Sequence, residues 1–241
     1  MKWIIVTGDT GGLGGAIVNN ILLDPGYGVI GISRKENVAT ECFNDLYENR
    51  YIHINYDLCH VDTIKDLYKE EIKKIGPVYG LVNNSAYAYD DIVTNANAEN
   101  LDLMFKINVL SPIMLTKYAI RDMLLNKIEG SVVHITSVCA HTGYKGLSMY
   151  AATKGALESF SKTVAREWGE IGIRSNCVAP GFMETGMSET LSDEQKNRIY
   201  KRTSLKKETA LESVAETVSF LLSNKSKSIT GSVIHVDNGT I

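Results

Sequence analysis

Trp3-Ile4-Ile5-Val6-Thr7-Gly8-Asp9-Thr10-Gly11-Gly12-Leu13-Gly14 is a short apolar run that breaks into a glycine-rich turn. Four apolar residues in a row read as a buried strand. A helix from about Gly12 to Leu23 follows, closed by Pro25-Gly26. A glycine-rich turn between strand and helix is the context in which a loop cradles a pyrophosphate, because the backbone approaches closely and the helix N-terminus offers free N–H groups and a positive dipole end. Thr7, Gly8, Thr10, Gly12, Leu13 and Gly14 are therefore candidate cofactor contacts. The G-x-x-x-x-G-K-S/T triphosphate loop is absent. Asp9 is the anomaly: a carboxylate here repels an anionic cofactor unless it points to solvent or caps a backbone group.

Outward from this stretch, strands and helices alternate. Val29–Ile32 and Tyr51–Ile54 read as strands, and residues 61–75 carry helical periodicity through Val61, Ile64, Leu67 and Ile72. Gly76-Pro77 ends that helix and Val78–Val82 form a fourth strand. Two long helices, near 101–126 and 149–170, bracket a fifth strand at Ser131–Ile135, and 173–179 and 232–236 supply two more. The alternation predicts an α/β fold: a single doubly wound, Rossmann-like domain over 1–241, with a seven-stranded parallel sheet and helices on both faces. The least regular part, about 181–210, is expected to include a substrate lid around 183–210.

The chain has 241 residues, 44% hydrophobic and 22% charged, with a formal net charge of -3. These values suit a globular protein and show neither the basic footprint of a nucleic-acid binder nor a polybasic membrane patch. The cluster Lys201-Arg202 with Lys206-Lys207 reads as a solvated face. No apolar run approaches the ~20 residues of a membrane span, and Gly8-Asp9 interrupts the first apolar run before a secretory core can form. A cytoplasmic protein is expected. Cys42, Cys59, Cys139 and Cys177 lie far apart without a C-x-x-C pair, so reduced thiols and no metal site are expected.

The second strand ends Ile32-Ser33-Arg34-Lys35, with no acid before Glu36. An acid there would hold a ribose 2′-hydroxyl, whereas the Arg34 guanidinium and the Lys35 ammonium favour a 2′-phosphate, so NADP(H) is expected over NAD(H), with Ser33 and Arg34 as candidate cofactor contacts. Asp57, at the end of the third strand, is placed to accept from an adenine amino group.

Tyr150 and Lys154 are spaced i, i+4 and share one helix face. An ammonium beside a phenol favours the phenolate and lowers its pKa, which suits proton exchange with an oxygen during hydride transfer.

Taken in order, these motifs resemble the short-chain dehydrogenase/reductase superfamily in its compact form. The T-G-x-x-x-G-x-G loop is Thr7, Gly8, Gly12 and Gly14; Asp57-Leu58 matches the adenine contact; Asn83-Asn84-Ser85-Ala86 resembles the family's N-N-A-G; and Pro180-Gly181 with Thr185 matches its P-G-x-x-x-T cofactor loop. The resemblance implies a catalytic tetrad of Asn108, Ser137, Tyr150 and Lys154. Ser137 would hold the substrate oxygen, Tyr150 would be the general acid in reduction, Lys154 would lower the Tyr pKa and hold the nicotinamide ribose, and Asn108 would anchor a proton-relay water. Asn84 and Ser85 would be cofactor contacts, and a homotetramer built on the two long helices is implied.

Within the superfamily the chain is most similar to bacterial 3-oxoacyl-acyl-carrier-protein reductases, through 176–187, Leu191-Ser192-Asp193-Glu194-Gln195 and Ile229-Thr230-Gly231 with His235-Val236-Asp237. The implied substrate is a ketone, thioester-linked or small, with an acyl carrier protein as a possible partner. Ser85-Ala86 departs from the usual Ala-Gly. Ile128 and Ile171 stand near positions where carrier-protein reductases place basic residues, which redirects attention to free or nucleotide-linked ketones, sugars and coenzyme A esters. A binding-only protein on this fold, and a serine hydrolase using Ser137 and His141, are the competing readings. The intact tetrad and the absent G-x-S-x-G elbow argue against them.

Overall fold

The alternation inside β1 (Lys2–Thr7) divides the core in two. Ile4 and Val6 point into one buried cluster with Leu13, Ile17 and Val218, while Trp3 and Ile5 point into another with Leu115, Met123 and Val164. A strand buried on both faces in this way belongs at the centre of a parallel sheet. The computed structural model describes residues 1–186 and 191–241. Residues 187–190, within the expected lid range, lie outside the described residues.

The strands β2 (Tyr27–Ser33), β3 (Tyr51–Asn55), β4 (Val78–Asn83), β5 (Ser131–Ile135), β6 (Arg174–Pro180) and β7 (Val233–Val236) join β1 in one seven-stranded sheet of order β3-β2-β1-β4-β5-β6-β7. Every neighbouring pair is parallel. The order reverses direction between β1 and β4, and ligands bind outside the strand C-termini at such a switch point. On one face lie α1 (Gly12–Leu22), α2 (Val38–Leu46) and α9 (Leu211–Leu222). On the other lie α3 (Ile64–Leu67) with its extension to α4 (Lys73–Ile75), and the helices α5 (Ala98–Phe105), α6 (Ser111–Asn126) and α7 (Ser148–Trp168). Helix α8 (Asp193–Tyr200) lies in the segment expected to be irregular, and a Ser192–Gln195 capping box starts it.

Two helices carry π turns. Tyr68–Ile72 joins α3 to α4, and Lys106–Leu110 joins α5 to α6, making 98–126 one continuous helix. By length and mean hydropathy of 1.2, that helix meets the criterion for crossing a membrane, contrary to the reading of apolar runs alone. Half of its most apolar window is buried in the fold, the situation of a core helix.

Candidate active site

The loop after β1 is built to present bare backbone. Helix α1 starts at an N-cap, Gly11, that makes no side-chain cap bond, and its first turn carries no acid. The N–H groups there are left for an anion, so the residues present fit a pyrophosphate. Gly14 is required by close approach: a Cβ at that position would lie 1.8 Å from the Gly8 carbonyl oxygen. Leu13 turns into the core, so only its backbone faces the loop.

Side chains lock the loop to its neighbours. Thr7 is buried, and its Oγ1 accepts from the backbone N–H groups of Asn84 at 2.9 Å and Ser85 at 3.0 Å. The Asn84 amide donates back to the carbonyls of Thr7 and Gly8. Thr7 and Asn84 thus join β1 to the end of β4 across the switch point. Thr10 Oγ1 donates to Ser33 Oγ at 3.1 Å, and Asn37 donates to the Thr10 carbonyl at 2.9 Å while capping α2. Asn37 was not among the expected site residues; its N-x-x-T capping spacing with Thr40 is the signal that marks it.

Arg34 is exposed beside this junction. Asp57 accepts from the Cys59 N–H at 2.9 Å. Its partial burial opposes ionisation, but the Cys59 hydrogen bonds and the charges of Arg34 and His60 outweigh burial and hold the carboxyl below its ordinary value. Leu58 is buried; its carbonyl accepts from Ser111.

Asp9 does neither of the two things expected of it. It is fully buried, and its Oδ2 accepts from Tyr51 Oη at 2.6 Å and lies 2.7 Å from His53 Nδ1. The carboxylate is turned down toward β3, away from the loop's bare amides.

At the other end of the site, Ser137 follows β5 and caps a short 3-10 turn, Val138–Ala140; its Oγ accepts from the Cys139 N–H at 3.2 Å. The strand-end cap and a free hydroxyl hydrogen coexist in one side chain. Lys154 is buried, and its Nζ donates to the Ile135 carbonyl at 2.9 Å, tying α7 to β5 two residues before Ser137. The same Nζ lies 5.4 Å from the Tyr150 ring centroid.

One expectation about this group is corrected. The Tyr150 phenol is not lowered: burial, then Cys139 and Asp90, push it well above its ordinary value. Burial also pulls the Lys154 ammonium down to about 8. Desolvation here exceeds the effect expected from i, i+4 spacing. Asn108, buried in the π turn, has its amide committed: Oδ1 accepts from the Tyr87 N–H at 2.8 Å, and Nδ2 donates to the Tyr87 carbonyl and to Thr153 Oγ1. Its side chain therefore clamps the loop after β4 against α7.

His134, absent from the expected site, lies fully buried on β5 with Nδ1 3.1 Å from Asn83 Nδ2. Burial, then the Lys154 charge, lower it to about 3, so it is neutral at working pH. His141 pairs with Glu158 at 2.8 Å, and no hydrogen bond joins it to Ser137 among the described residues.

Pro180 ends β6 opposite Val236, and Gly181 N–H donates to the Val236 carbonyl. Thr185 approaches the phosphate loop, its methyl 3.9 Å from where a Gly12 Cβ would stand. Ile128 and Ile171 precede β5 and β6, at the sheet end opposite Ser137. Ile128 packs against the core, whereas Ile171 is exposed.

A family profile described as enoyl-(acyl carrier protein) reductase matches residues 10–240. The chain is 34% identical to the 3-oxoacyl-acyl-carrier-protein reductase FabG of Buchnera aphidicola subsp. Acyrthosiphon pisum, over 97% of this chain and 95% of the relative. It is 33% identical to FabG of Escherichia coli (strain K12), over 99% and 96%. Among solved structures, one described as a short chain dehydrogenase/reductase family protein superposes with a TM-score of 0.87 at 30% identity, covering 99% of this chain and 96% of the other.

Proposed function

This chain belongs to the short-chain dehydrogenase/reductase superfamily and is an oxidoreductase that interconverts a ketone and a secondary alcohol, and we propose that it works with NADP(H) through Ser137, Tyr150 and Lys154 on a 3-oxoacyl-thioester-like ketone. The observation that carries this reading is the Lys154–Ile135 bond, which fixes the Tyr150 face of α7 beside the end of the strand that presents Ser137. The nicotinamide supplies a hydride to the carbonyl carbon when bound. Ser137 donates its hydroxyl hydrogen to the substrate oxygen and stabilises the charge developing there. Tyr150 gives that oxygen its proton. An alkoxide is more basic than a phenolate, so the transfer runs downhill even from a phenol raised by burial. Lys154 holds positive charge near the ring, and Asn108 acts through Tyr87 and Thr153 as a positioning residue.

Thr7, Gly8, Thr10, Gly12, Leu13, Gly14, Asn84 and Ser85 would hold the pyrophosphate side of NADP(H); Ser33, Arg34, Asp57 and Leu58 the adenosine side; and Pro180, Gly181 and Thr185 the nicotinamide side. Segment 183–210 is the substrate lid in this reading. Exposed Leu110, Leu124 and Leu125 on the 98–126 helix support association through that helix as a homotetramer. A second reading, a small or sugar-like ketone, is favoured by the apolar Ile128 and Ile171, since an acidic carrier protein docks on positive charge.

The test is oxidation of NADPH and NADH side by side with acetoacetyl-coenzyme A, an acetoacetyl carrier protein and a diketone. Turnover confined to the carrier-protein substrate supports the first reading. Turnover of only the free ketones supports the second. No turnover of any substrate despite tight NADPH binding sinks both substrate readings.

A further inference from the structure

We propose that Asp9 is a positioning residue for the phosphate loop, and that Tyr51 and His53 quench its charge so that an anionic cofactor can bind above it. The inference rests on the NADP(H) reading given above.

Asp9 stands within the loop, three residues before the start of α1, and is 0% exposed. One oxygen, Oδ2, takes both contacts, from Tyr51 Oη at 2.6 Å and His53 Nδ1 at 2.7 Å. The other, Oδ1, and His53 Nε2 are buried without a hydrogen-bond partner among the described residues. The space was made for this side chain: a Cβ on Gly31, which is opposite His53 in the β2–β3 register, would lie 1.9 Å from Asp9 Oδ2. Three elements therefore agree on one arrangement. β1 supplies the loop, β2 supplies a glycine gap, and β3 supplies two ring side chains on one strand face. The backbone repeats the tie, with Gly8 N–H donating to the Ile32 carbonyl at 2.8 Å.

The arrangement solves a conflict visible in the sequence. A buried carboxylate in an anion-binding loop adds field of the wrong sign, and a low local dielectric strengthens that field. Two charge-assisted hydrogen bonds to one oxygen draw the charge toward β3 and hold the loop down. Burial, then the bond to Asp9, push the Tyr51 phenol up, so it remains a donor throughout the working range. An ordinary structural cluster would need the carboxylate itself. A quenched charge needs only its donors and an acceptor at position 9 to tie the loop, and loss of the negative charge itself does no harm to an anion.

That difference gives the test. NADPH and NADH dissociation constants are measured by protein-to-nicotinamide energy transfer on the full chain, with apo melting temperatures alongside. Tyr51→Phe removes one donor and is expected to weaken NADPH ~10-fold, as for a buried acceptor deprived of its partner. Asp9→Asn keeps an acceptor and drops the charge, and is expected to leave NADPH within about twofold or tighten it. The double variant Asp9→Asn/Tyr51→Phe is expected to recover most of the Tyr51→Phe loss. If Tyr51→Phe does not fold, His53→Leu serves as the donor deletion. The proposal is overturned if the donor deletion leaves NADPH affinity unchanged, or if Asp9→Asn weakens it as much as the donor deletion does. Wild-type protein that binds neither NADPH nor NADH would overturn the functional reading as well; wild-type binding with unaffected donor variants overturns this inference alone.

Discussion

Asp9 and Lys154 are both buried charges at the C-terminal edge of one sheet, and the fold treats them in opposite ways. Asp9 receives two side-chain contacts, from Tyr51 and His53. Lys154 receives a backbone carbonyl and an aromatic ring, with a neutral His134 nearby and no acid paired to it among the described residues. A compensated buried charge fixes a shape; an under-compensated one is held near the point of losing its proton, as groups in working sites often are. In the proposed reading, the phosphate-loop half of the site is thus organised for geometry and the Lys154 half for chemistry.

The sharpest attempt to break this contrast removes the group that Lys154 faces. Tyr150→Phe is expected to lower turnover by ~10³-fold, the scale of losing a positioned general acid, while NADPH affinity stays within a few fold. Turnover equal to wild type would take Tyr150 out of the mechanism and leave Lys154 without a chemical reason for its burial.

Replacing the two charges themselves should move stability in opposite directions. Lys154→Met relieves an unpaired buried ammonium and is expected to stabilise the fold at pH 7 by about 2 kcal/mol while abolishing most activity. Asp9→Ala strands Tyr51 and His53 and is expected to destabilise by about 2 kcal/mol. The pH dependence carries the same sign information. Lys154 is lowered from 10.5 to about 8, so within that window the unfolded chain binds a proton that the folded chain does not. Stability from this group therefore rises between pH 8 and 10.5, is flat below 8, and loses this slope in Lys154→Met. Urea titrations of both variants across this range check the contrast; destabilisation by both would erase it.

His134 sharpens the catalytic side further. It is lowered from 6.5 to about 3, so as pH falls below 6.5 the unfolded chain takes up a proton the folded chain refuses. Its contribution is full above 6.5 and is lost progressively toward 3. His134→Asn is expected to lose about 2 kcal/mol less than wild type between pH 7 and pH 5, read from urea midpoints. Identical acid sensitivity would mean that His134 accepts a proton in place, next to Lys154.

These two regions also differ in what their sequences disclose. The strands, the loop and the Tyr150–Lys154 spacing are legible because period and order are local properties. Helix α9 has that signal too, in buried Val214, Ala215, Val218, Leu221 and Leu222 at three- and four-residue spacing. Helix α2 does not, because Val38 and Leu46 are exposed and only Thr40 and Phe43 are buried. The Asp9 cluster is illegible for a different reason: its partners lie 42 and 44 residues away on β3, and only strand register brings them beneath the loop. Asn108 is legible as a residue but its contacts are not, since Tyr87 and Thr153 reach it through a loop and a second helix. The Tyr150 pKa is misread from spacing because burial depends on everything packed around it.

The smallest expected effect belongs to the charge that water shares. Arg34 is exposed at the end of β2, beside the Ser33–Thr10 junction and close enough to Asp57 to favour its carboxylate. A guanidinium there gains a charge-assisted contact with a 2′-phosphate that a 2′-hydroxyl cannot match, yet salt screens it as it never screens Asp9 or Lys154. Arg34→Ala is therefore expected to weaken NADPH by ~10-fold and NADH by ~2-fold at low ionic strength, with the gap shrinking as salt is added. Binding titrations of both cofactors at two salt concentrations separate the outcomes. An unchanged NADPH-to-NADH ratio would reject Arg34 as the 2′-phosphate reader. A changed ratio that ignores salt would place the guanidinium in a closed site, and cofactor choice would then belong with the buried charges.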